Sequence, residues 1–261
     1  MNPALGAREA ILELHALSKH FGGLLAVNDL SFSVPAGTIT SLIGGNGAGK
    51  TTVFNLITGN LVPDAGRIEF RGQSITGLAP HQVARVGVAR SFQELRLFNR
   101  LSALDNIAAA MPRQRGEGIV ASLLGGARLR EENRRTEAES RALLDELTLG
   151  GHADILAEQL SYGQQKLLAL GRLLAAEGQL LLLDEPTAGL SPAMVDDFCR
   201  RARQLVQQGK TILLIEHNVE IVMSLSDWVV VMHQGEKIAE GLPEDVRHNV
   251  SVMHTYLGIT S

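Results

Sequence analysis

Residues 44–51, GGNGAGKT, match the pattern G-x-x-x-x-G-K-[ST], whose residue types can hold a chain of phosphates. Glycines let the backbone turn tightly, so successive N–H groups point inward and form an anion site. The amine of Lys50 can reach the terminal phosphates, and the hydroxyl of Thr51 can ligate Mg²⁺. An apolar run precedes the loop and a helical pattern follows it, which adds the positive end of a helix. A dinucleotide fold is disfavoured, because G-x-G-x-x-G is not matched.

A second candidate site lies where the apolar run at residues 180–183, LLLL, ends in Asp184 and Glu185. Ligands of open α/β sheets bind at the carboxyl ends of strands. We therefore expect Asp184 to hold Mg²⁺ and Glu185 to lie beside the γ-phosphate, where it orients and polarises the attacking water. The alternative is a strand that ends in a solvated acidic turn, which the presence of the phosphate loop disfavours.

A third segment, residues 160–165 (LSYGQQ), begins a helical stretch. Ser161 and Gln164 have the spacing of a capping box, and a helix N-terminus offers N–H groups to an anion. Together with the phosphate loop and the acidic strand end, in this order, the segment resembles the LSGGQ signature of the ATP-binding cassette (ABC) ATPases. In this chain Tyr162 replaces the first signature glycine. The resemblance extends over about residues 11–258.

The resemblance implies an α/β fold: a RecA-like P-loop NTPase core with an N-terminal antiparallel β-subdomain and an inserted helical subdomain. On this basis the ATP-binding core and β-subdomain are expected at residues 1–92 and 177–241. The helical signature subdomain is expected at 93–176, and a C-terminal helical tail at 242–261.

The resemblance also implies roles for single residues. Phe21 would stack on adenine, the alternative being a core phenylalanine between strands. Gln93 would contact Mg²⁺ and the attacking water, the alternative being a solvated loop residue. His217 would contact the γ-phosphate, so Glu185, His217 and Gln93 form the predicted catalytic set. The remaining predicted ATP ligands are Gly44, Asn46, Gly47, Ala48, Gly49, Lys50, Thr51 and Thr52 in one subunit and Ser161, Gly163 and Gln164, which act on the ATP of the opposite subunit.

The elements that must position these residues alternate between strands and helices. Apolar runs between turn residues predict the strands, and helical periodicity with capping residues predicts the helices. The predicted strands are 11–14, 30–34, 38–43, 68–70, 180–183, 211–215 and a hairpin of 228–232 with 237–239. The predicted helices are 50–58, one that begins at Ser102 and continues through 106–111, 128–147, 160–176, 192–207 and a tail from Pro243.

Composition excludes several classes of protein. The 261 residues can bury a core without a metal or disulfide staple, and the single cysteine, Cys199, excludes a disulfide framework within the chain. The formal charge of −4 argues against a general nucleic-acid binder. No apolar run reaches the roughly 18 residues that a membrane span needs.

Within the ABC group, residues 90–98 (RSFQELRLF), 160–165 and 215–218 (IEHN) resemble the ATPases of branched-chain amino-acid importers. We therefore expect an ATP- and Mg²⁺-dependent ATPase at the cytoplasmic face of the inner membrane. Its expected partners are two permease subunits, an identical or paralogous second ATPase and, indirectly, a secreted solute-binding protein. The alternatives are the ATPase of a urea importer or lipopolysaccharide exporter, a non-transport ABC protein, and a non-catalytic ATP-binding regulator.

Overall fold

The computed structural model describes residues 9–91, 97–111 and 126–249. The chain divides into two compact units, with the boundaries after Arg90 and before Gln179. We call the unit that contains both chain ends the core unit and the unit between the boundaries the helical unit. Within the described residues, no helix combines the length and the apolar character required to cross a bilayer.

The core unit contains two sheets and the helices that cover them. Its strands are β1 (Ala10–Phe21), β2 (Leu24–Pro35), β3 (Ile39–Gly44), β4 (Ala65–Phe70), β5 (Gln73–Ser74), β6 (Val88–Arg90), β7 (Leu180–Asp184), β8 (Thr211–Ile215), β9 (Trp228–His233) and β10 (Glu236–Gly241). Its helices are α1 (Lys50–Ile57), α2 (Pro80–Arg85), α6 (Pro192–Gln207), α7 (Val219–Leu225) and α8 (Pro243–Arg247).

The larger sheet has the order β10-β9-β3-β8-β7-β6. All neighbouring pairs in it are parallel except β9 with β10, which form the predicted hairpin. Every residue of β3, β7 and β8 is buried. This burial explains the nearly continuous apolar sequences of β7 and β8, because a parallel sheet is covered on both faces. Strand β3 also buries the polar residues Thr40 and Ser41. The carboxyl ends of β3, β7 and β8 therefore meet at one edge of the sheet.

The smaller sheet has the order β2-β1-β4-β5, and all its pairs are antiparallel. Strands β1 and β2 alternate buried and exposed residues over part of their length. Each is longer than the short apolar segment that predicted it, because the polar residues on the open face continue the hydrogen-bonded ladder.

The helical unit contains α3 (Ala103–Ala108), α4 (Gly126–Glu146) and α5 (Tyr162–Ala175). The predicted start of α3 is confirmed, since the Ser102 side chain accepts from the N–H of Asp105. The helix continues from Asn106 to Ala108 as predicted, but it ends there rather than at Met111, and its last carbonyls accept turn bonds. Helix α5 begins two residues later than predicted, with Ser161 and Leu160 still extended.

Several further elements test the sequence interpretation directly. Helix α6 and strand β8 have the predicted bounds. Strand β6 and helix α2 were not predicted, since each is too short to show a period. The predicted tail begins as helix α8, and its Val246 packs with Ile43, Val222, Val229 and Val231 of the core unit. The remainder of the tail, from residue 250, lies outside the described residues.

Candidate functional site

The phosphate loop connects the buried strand β3 to helix α1. The residue before α1, Gly49, has a φ of 100°, and a Cβ there would collide with the carbonyl oxygen of Ala26. Glycine is therefore required both by the backbone conformation and by the close approach of a neighbouring strand. Helix α1 has no side-chain cap and no acidic residue in its first turn. Because the first-turn N–H groups have no partners within a helix, this end can bind an anion.

Lys50 is buried at the start of this helix, with 6% of its surface exposed. Its Nζ donates to the carbonyl oxygens of Gly44, at 2.8 Å, and Gly45, at 3.0 Å. Burial lowers the pKa of the Lys50 amine, whereas the negative charges of Glu185 and Asp184 act in the opposite direction. The amine is thus held inside the loop, close to both acidic residues that the sequence placed at the same site.

Asp184 ends strand β7 and is only 4% exposed. Its Oδ2 accepts from Nη2 of Arg90 at 3.0 Å, and Nη1 of the same arginine donates to Asn55 at 2.6 Å. Burial raises the pKa of Asp184, and the hydrogen bond and charge of Arg90 oppose that rise. The sequence analysis assigned Arg90 no role at this site. No sequence pattern marks Arg90 as a partner of Asp184, because β6 is too short to be predicted and only the structure shows that it lies beside β7.

The donor set at this edge fits Mg²⁺. This ion is bound in proteins by one or two carboxylates with substrate phosphates and water, rather than by a cage of side chains. The charge of Asp184 opposes the lowering of the Lys50 pKa, the charge of Lys50 opposes the raising of the Asp184 pKa, and Thr51 directly follows Lys50 in the chain. Thr51 and Asp184 can therefore offer a hydroxyl and a carboxylate oxygen to an ion bound beside the phosphates.

Glu185 and His217 lie side by side, although they are far apart in the sequence. Oε1 of Glu185 is 2.8 Å from Nε2 of His217, and both side chains are partly exposed. The backbone N–H of Glu185 donates to the carbonyl oxygen of Ile215 at 2.9 Å, which joins the ends of β7 and β8. Glu185 has a φ of 48°, an unfavourable conformation for this residue that the surroundings must hold.

Phe21 ends strand β1 with 45% of its surface exposed. The alternative interpretation, a core phenylalanine between strands, is wrong because the ring lies at the surface. Lys19 places its amine 5.9 Å from the centre of this ring. The exposed ring is available for stacking on a planar ligand.

The signature segment forms the N-terminus of α5 in the helical unit. Gln164 N–H donates to Ser161 Oγ at 3.4 Å, and Ser161 N–H donates to Gln164 Oε1 at 2.9 Å, which confirms the predicted capping box. Nε2 of Gln164 is 3.0 Å from Nε2 of His152. Ser161 is exposed and Gly163 is buried, so the segment presents its hydroxyl to the solvent.

The structure thus brings four predicted residues together in the core unit, Lys50, Asp184, Glu185 and His217, and Thr51 directly follows Lys50 in the chain. Ser161, Gly163 and Gln164 form a separate group in the helical unit. Gln93, predicted to contact Mg²⁺ and water, lies outside the described residues.

Comparison with known proteins gives concordant results. The family described as ABC transporter matches residues 27–188. The chain is 41% identical to BraF of Pseudomonas aeruginosa, a high-affinity branched-chain amino acid transport ATP-binding protein, over 95% of this chain and 98% of BraF. It is 39% identical to the corresponding Escherichia coli protein, LivG, over 96% of this chain and 98% of LivG.

Solved structures are similar over nearly the whole chain. A nucleotide-free ATP-binding cassette from an ABC transporter has a TM-score of 0.83 at 32% identity, over 97% of this chain and all of that chain. An ATP-binding cassette of an ABC transporter in its ADP conformation has a TM-score of 0.82 at 33% identity, over 96% of this chain and all of that one.

Proposed function

Because this chain belongs to the ABC transporter family, as its ATP-binding cassette, we propose that it drives import of branched-chain amino acids. Family membership confirms the predicted fold class and the predicted activity, ATP hydrolysis coupled to transport. The choice of solute is supported by the identity to BraF and LivG, whose names give branched-chain amino acid transport. No residue of the ATPase contacts the solute in this proposal.

The observation that carries the catalytic proposal is the contact between Glu185 and His217, 2.8 Å apart at the carboxyl edge of the sheet. In phosphoryl transfer the protein must orient the attacking water and neutralise the charge of the phosphates. Glu185 would accept a hydrogen bond from the water and polarise it. His217 would hold the Glu185 carboxylate in place and contact the γ-phosphate from its other side.

Phosphate binding is assigned to the loop and to the start of α1. Lys50 would exchange its two carbonyl acceptors, Gly44 and Gly45, for phosphate oxygens, which are stronger acceptors because they carry charge. The uncapped N–H groups of α1 would bind the same phosphates. Phe21 would stack on the adenine. Thr51 and Asp184 would hold Mg²⁺, which when bound neutralises charge on the phosphates; Gln93 is proposed as a further ligand.

The working assembly is proposed to contain two ATPase subunits. Ser161, Gly163 and Gln164 of one subunit would contact the ATP held by the phosphate loop of the other, identical or paralogous, subunit. The pair would bind two membrane permease subunits at the cytoplasmic face of the membrane. A secreted binding protein would deliver the solute to the other side.

The catalytic assignment is tested with Glu185→Gln, which keeps the size of the side chain and removes its charge and basicity. Loss of a positioned base costs roughly 10²–10⁴-fold in rate, so we expect phosphate release to fall at least about 100-fold. Affinity for ATP should be unchanged, and the variant should accumulate as an ATP-bound dimer on size exclusion with Mg-ATP. Glu240→Gln, at a surface carboxylate paired with Lys237, is the matched control. Turnover at the wild-type rate in Glu185→Gln would disprove the assignment.

The solute is tested in the assembled transporter. The ATPase, purified together with its permease subunits, is placed in vesicles with its binding protein. Leucine, isoleucine and valine should each stimulate ATP hydrolysis and enter the vesicles. Stimulation by urea alone, or extraction of lipopolysaccharide, would replace this proposal with one of the two transport alternatives.

A further inference from the structure

Glu216 is a buried carboxylate that directly precedes His217, and the sequence analysis gave it no role of its own. It follows strand β8 and is 3% exposed. Burying a carboxylate is unfavourable unless hydrogen bonds satisfy its oxygens. The partners of Glu216 are therefore informative about what this residue does.

The two oxygens of Glu216 accept hydrogen bonds from two different loops. Oε1 accepts from the backbone N–H of Thr187 at 3.2 Å and from the hydroxyl of the same residue. Oε2 accepts from the backbone N–H of His217 at 3.0 Å and of Asn218 at 3.4 Å. One carboxylate thus joins the loop after β7 to the loop after β8.

These two loops contain Glu185 and His217, the two residues that the proposed reaction needs. Glu185 lies two residues before Thr187, and His217 directly follows Glu216. The 2.8 Å contact between Glu185 and His217 requires both loops to keep their relative position. It also requires Glu185 to keep its unfavourable φ of 48°. A displacement of about 1 Å in a reacting group can cost roughly 100-fold in rate.

We propose that Glu216 is a positioning residue of the ATPase, which fixes Glu185 against His217 by joining their loops through Thr187. Glu216 contacts neither ATP nor water in this proposal and acts only through its four hydrogen bonds. The inference rests on the catalytic roles proposed above for Glu185 and His217.

The first test is Glu216→Gln. This variant keeps the shape of the side chain, but its amide nitrogen donates and cannot accept. The backbone N–H groups of one of the two loops therefore lose their acceptor and meet a second donor. We expect kcat to fall about 10- to 100-fold, with the affinity for ATP, measured by titration of a fluorescent nucleotide, unchanged.

The partner residue gives a second test that does not depend on the folding of Glu216→Gln. Thr187→Val removes the hydroxyl and keeps the branched shape, and it should lower kcat by about tenfold. Thr187→Ser keeps the hydroxyl and should recover most of that loss. The double variant Glu216→Gln/Thr187→Val should be no slower than Glu216→Gln, because both changes break the same connection between the two loops.

Thr40→Val is the matched control for the threonine change. Thr40 is fully buried in β3, and its hydroxyl has no hydrogen-bond partner in the described part of the chain. The same chemical change there should leave kcat as it is in the wild type. A loss of kcat in Thr187→Val that Thr187→Ser does not recover would overturn the proposal, as would a parallel loss of ATP affinity in Glu216→Gln.

Glu185→Gln, assayed beside these variants, distinguishes an error in the proposed catalytic site from an error in the positioning role of Glu216. If Glu185→Gln hydrolyses ATP at the wild-type rate, the proposed catalytic site is wrong. If Glu185→Gln is inactive while Glu216→Gln and Thr187→Val both keep the wild-type kcat, the site stands and the positioning role of Glu216 is wrong.

Discussion

The N-termini of α1 and α5 are two helix ends assigned to the same ligand, and they are built differently. Helix α1 starts after Gly49, with no side-chain cap and no acidic residue in its first turn. Helix α5 starts after Ser161, and a reciprocal pair of hydrogen bonds with Gln164 closes its end. At the N-terminus of α1, the first residue is the buried Lys50.

The difference indicates what each of the two helix ends contributes to ATP binding. The end of α1 leaves its N–H groups for a ligand and adds a positive charge, so we expect it to supply most of the affinity for phosphate. The end of α5 satisfies two of its own groups without any ligand, and so remains ordered on its own. We expect it to contribute only when a second subunit brings it to the phosphates.

The largest effect is expected from Lys50→Ala. The amine makes charge-assisted hydrogen bonds, each worth roughly 1.5–3 kcal/mol, so losing two at the phosphates should weaken ATP binding about 100- to 10,000-fold. Titration of a fluorescent nucleotide measures this, with Lys237→Ala, a surface lysine paired with Glu240, as the control. Equal affinity in wild type and Lys50→Ala would remove the distinction between the two helix ends.

Ser161→Arg tests the other end. The variant should bind ATP as a monomer nearly as well as the wild type, but its bulk and loss of the hydroxyl should abolish ATP-driven dimerisation. Turnover should fall about 100-fold, the scale on which loss of a positioned group affects catalysis. Ser102→Arg makes the same change at another capped helix of the same unit and should keep dimerisation. Loss of monomer binding in Ser161→Arg would show that α5 serves the ATP of its own chain.

The pH dependence of the free energy of unfolding should distinguish the buried amine of Lys50 from the amines of exposed lysines. Burial lowers the pKa of Lys50 below its usual value of 10.5, so in the folded protein it loses its proton at a lower pH than in the unfolded chain. Between these two pKa values the unfolded state binds more protons, and the free energy of unfolding rises with pH. Comparison of wild type with Lys50→Met by chemical denaturation, up to pH 10.5, should show this rise in the wild type only. Parallel curves would contradict the assigned burial.

The smallest effect is expected for Ser161→Ala, which removes the side-chain cap of α5. Loss of such a cap costs about 1 kcal/mol of the free energy of unfolding. Ser191→Ala is the matched comparison, because Ser191 precedes α6 but makes no side-chain cap hydrogen bond. Urea denaturation of both variants should show a loss only for Ser161→Ala. Equal losses would mean that the capping box does not stabilise α5.

Local patterns in the sequence determined the phosphate loop, the capping box and the approximate position of most of the longer elements. Turn residues, helix caps and runs of buried strand residues act between near neighbours, so their effect can be read from the residues alone. Helix α6 and strand β8 illustrate this, since the structure has them at the predicted bounds. The sequence alone does not decide the exposure of Phe21, because an aromatic residue between two predicted strands can pack in the core or lie at the surface.

Only the tertiary structure decided which of the distant polar residues meet. Arg90 pairs with Asp184 across 94 positions of the chain, Glu185 meets His217 across 32, and Glu216 reaches Thr187 across 29. These contacts follow from the strand order β3-β8-β7-β6, which brings the ends of strands far apart in the chain to one edge. The order depends on how buried strands pack, and apolar strands of similar sequence do not specify their neighbours. The sequence therefore determined the reacting groups, whereas the packing of the sheet determined the partners that hold them.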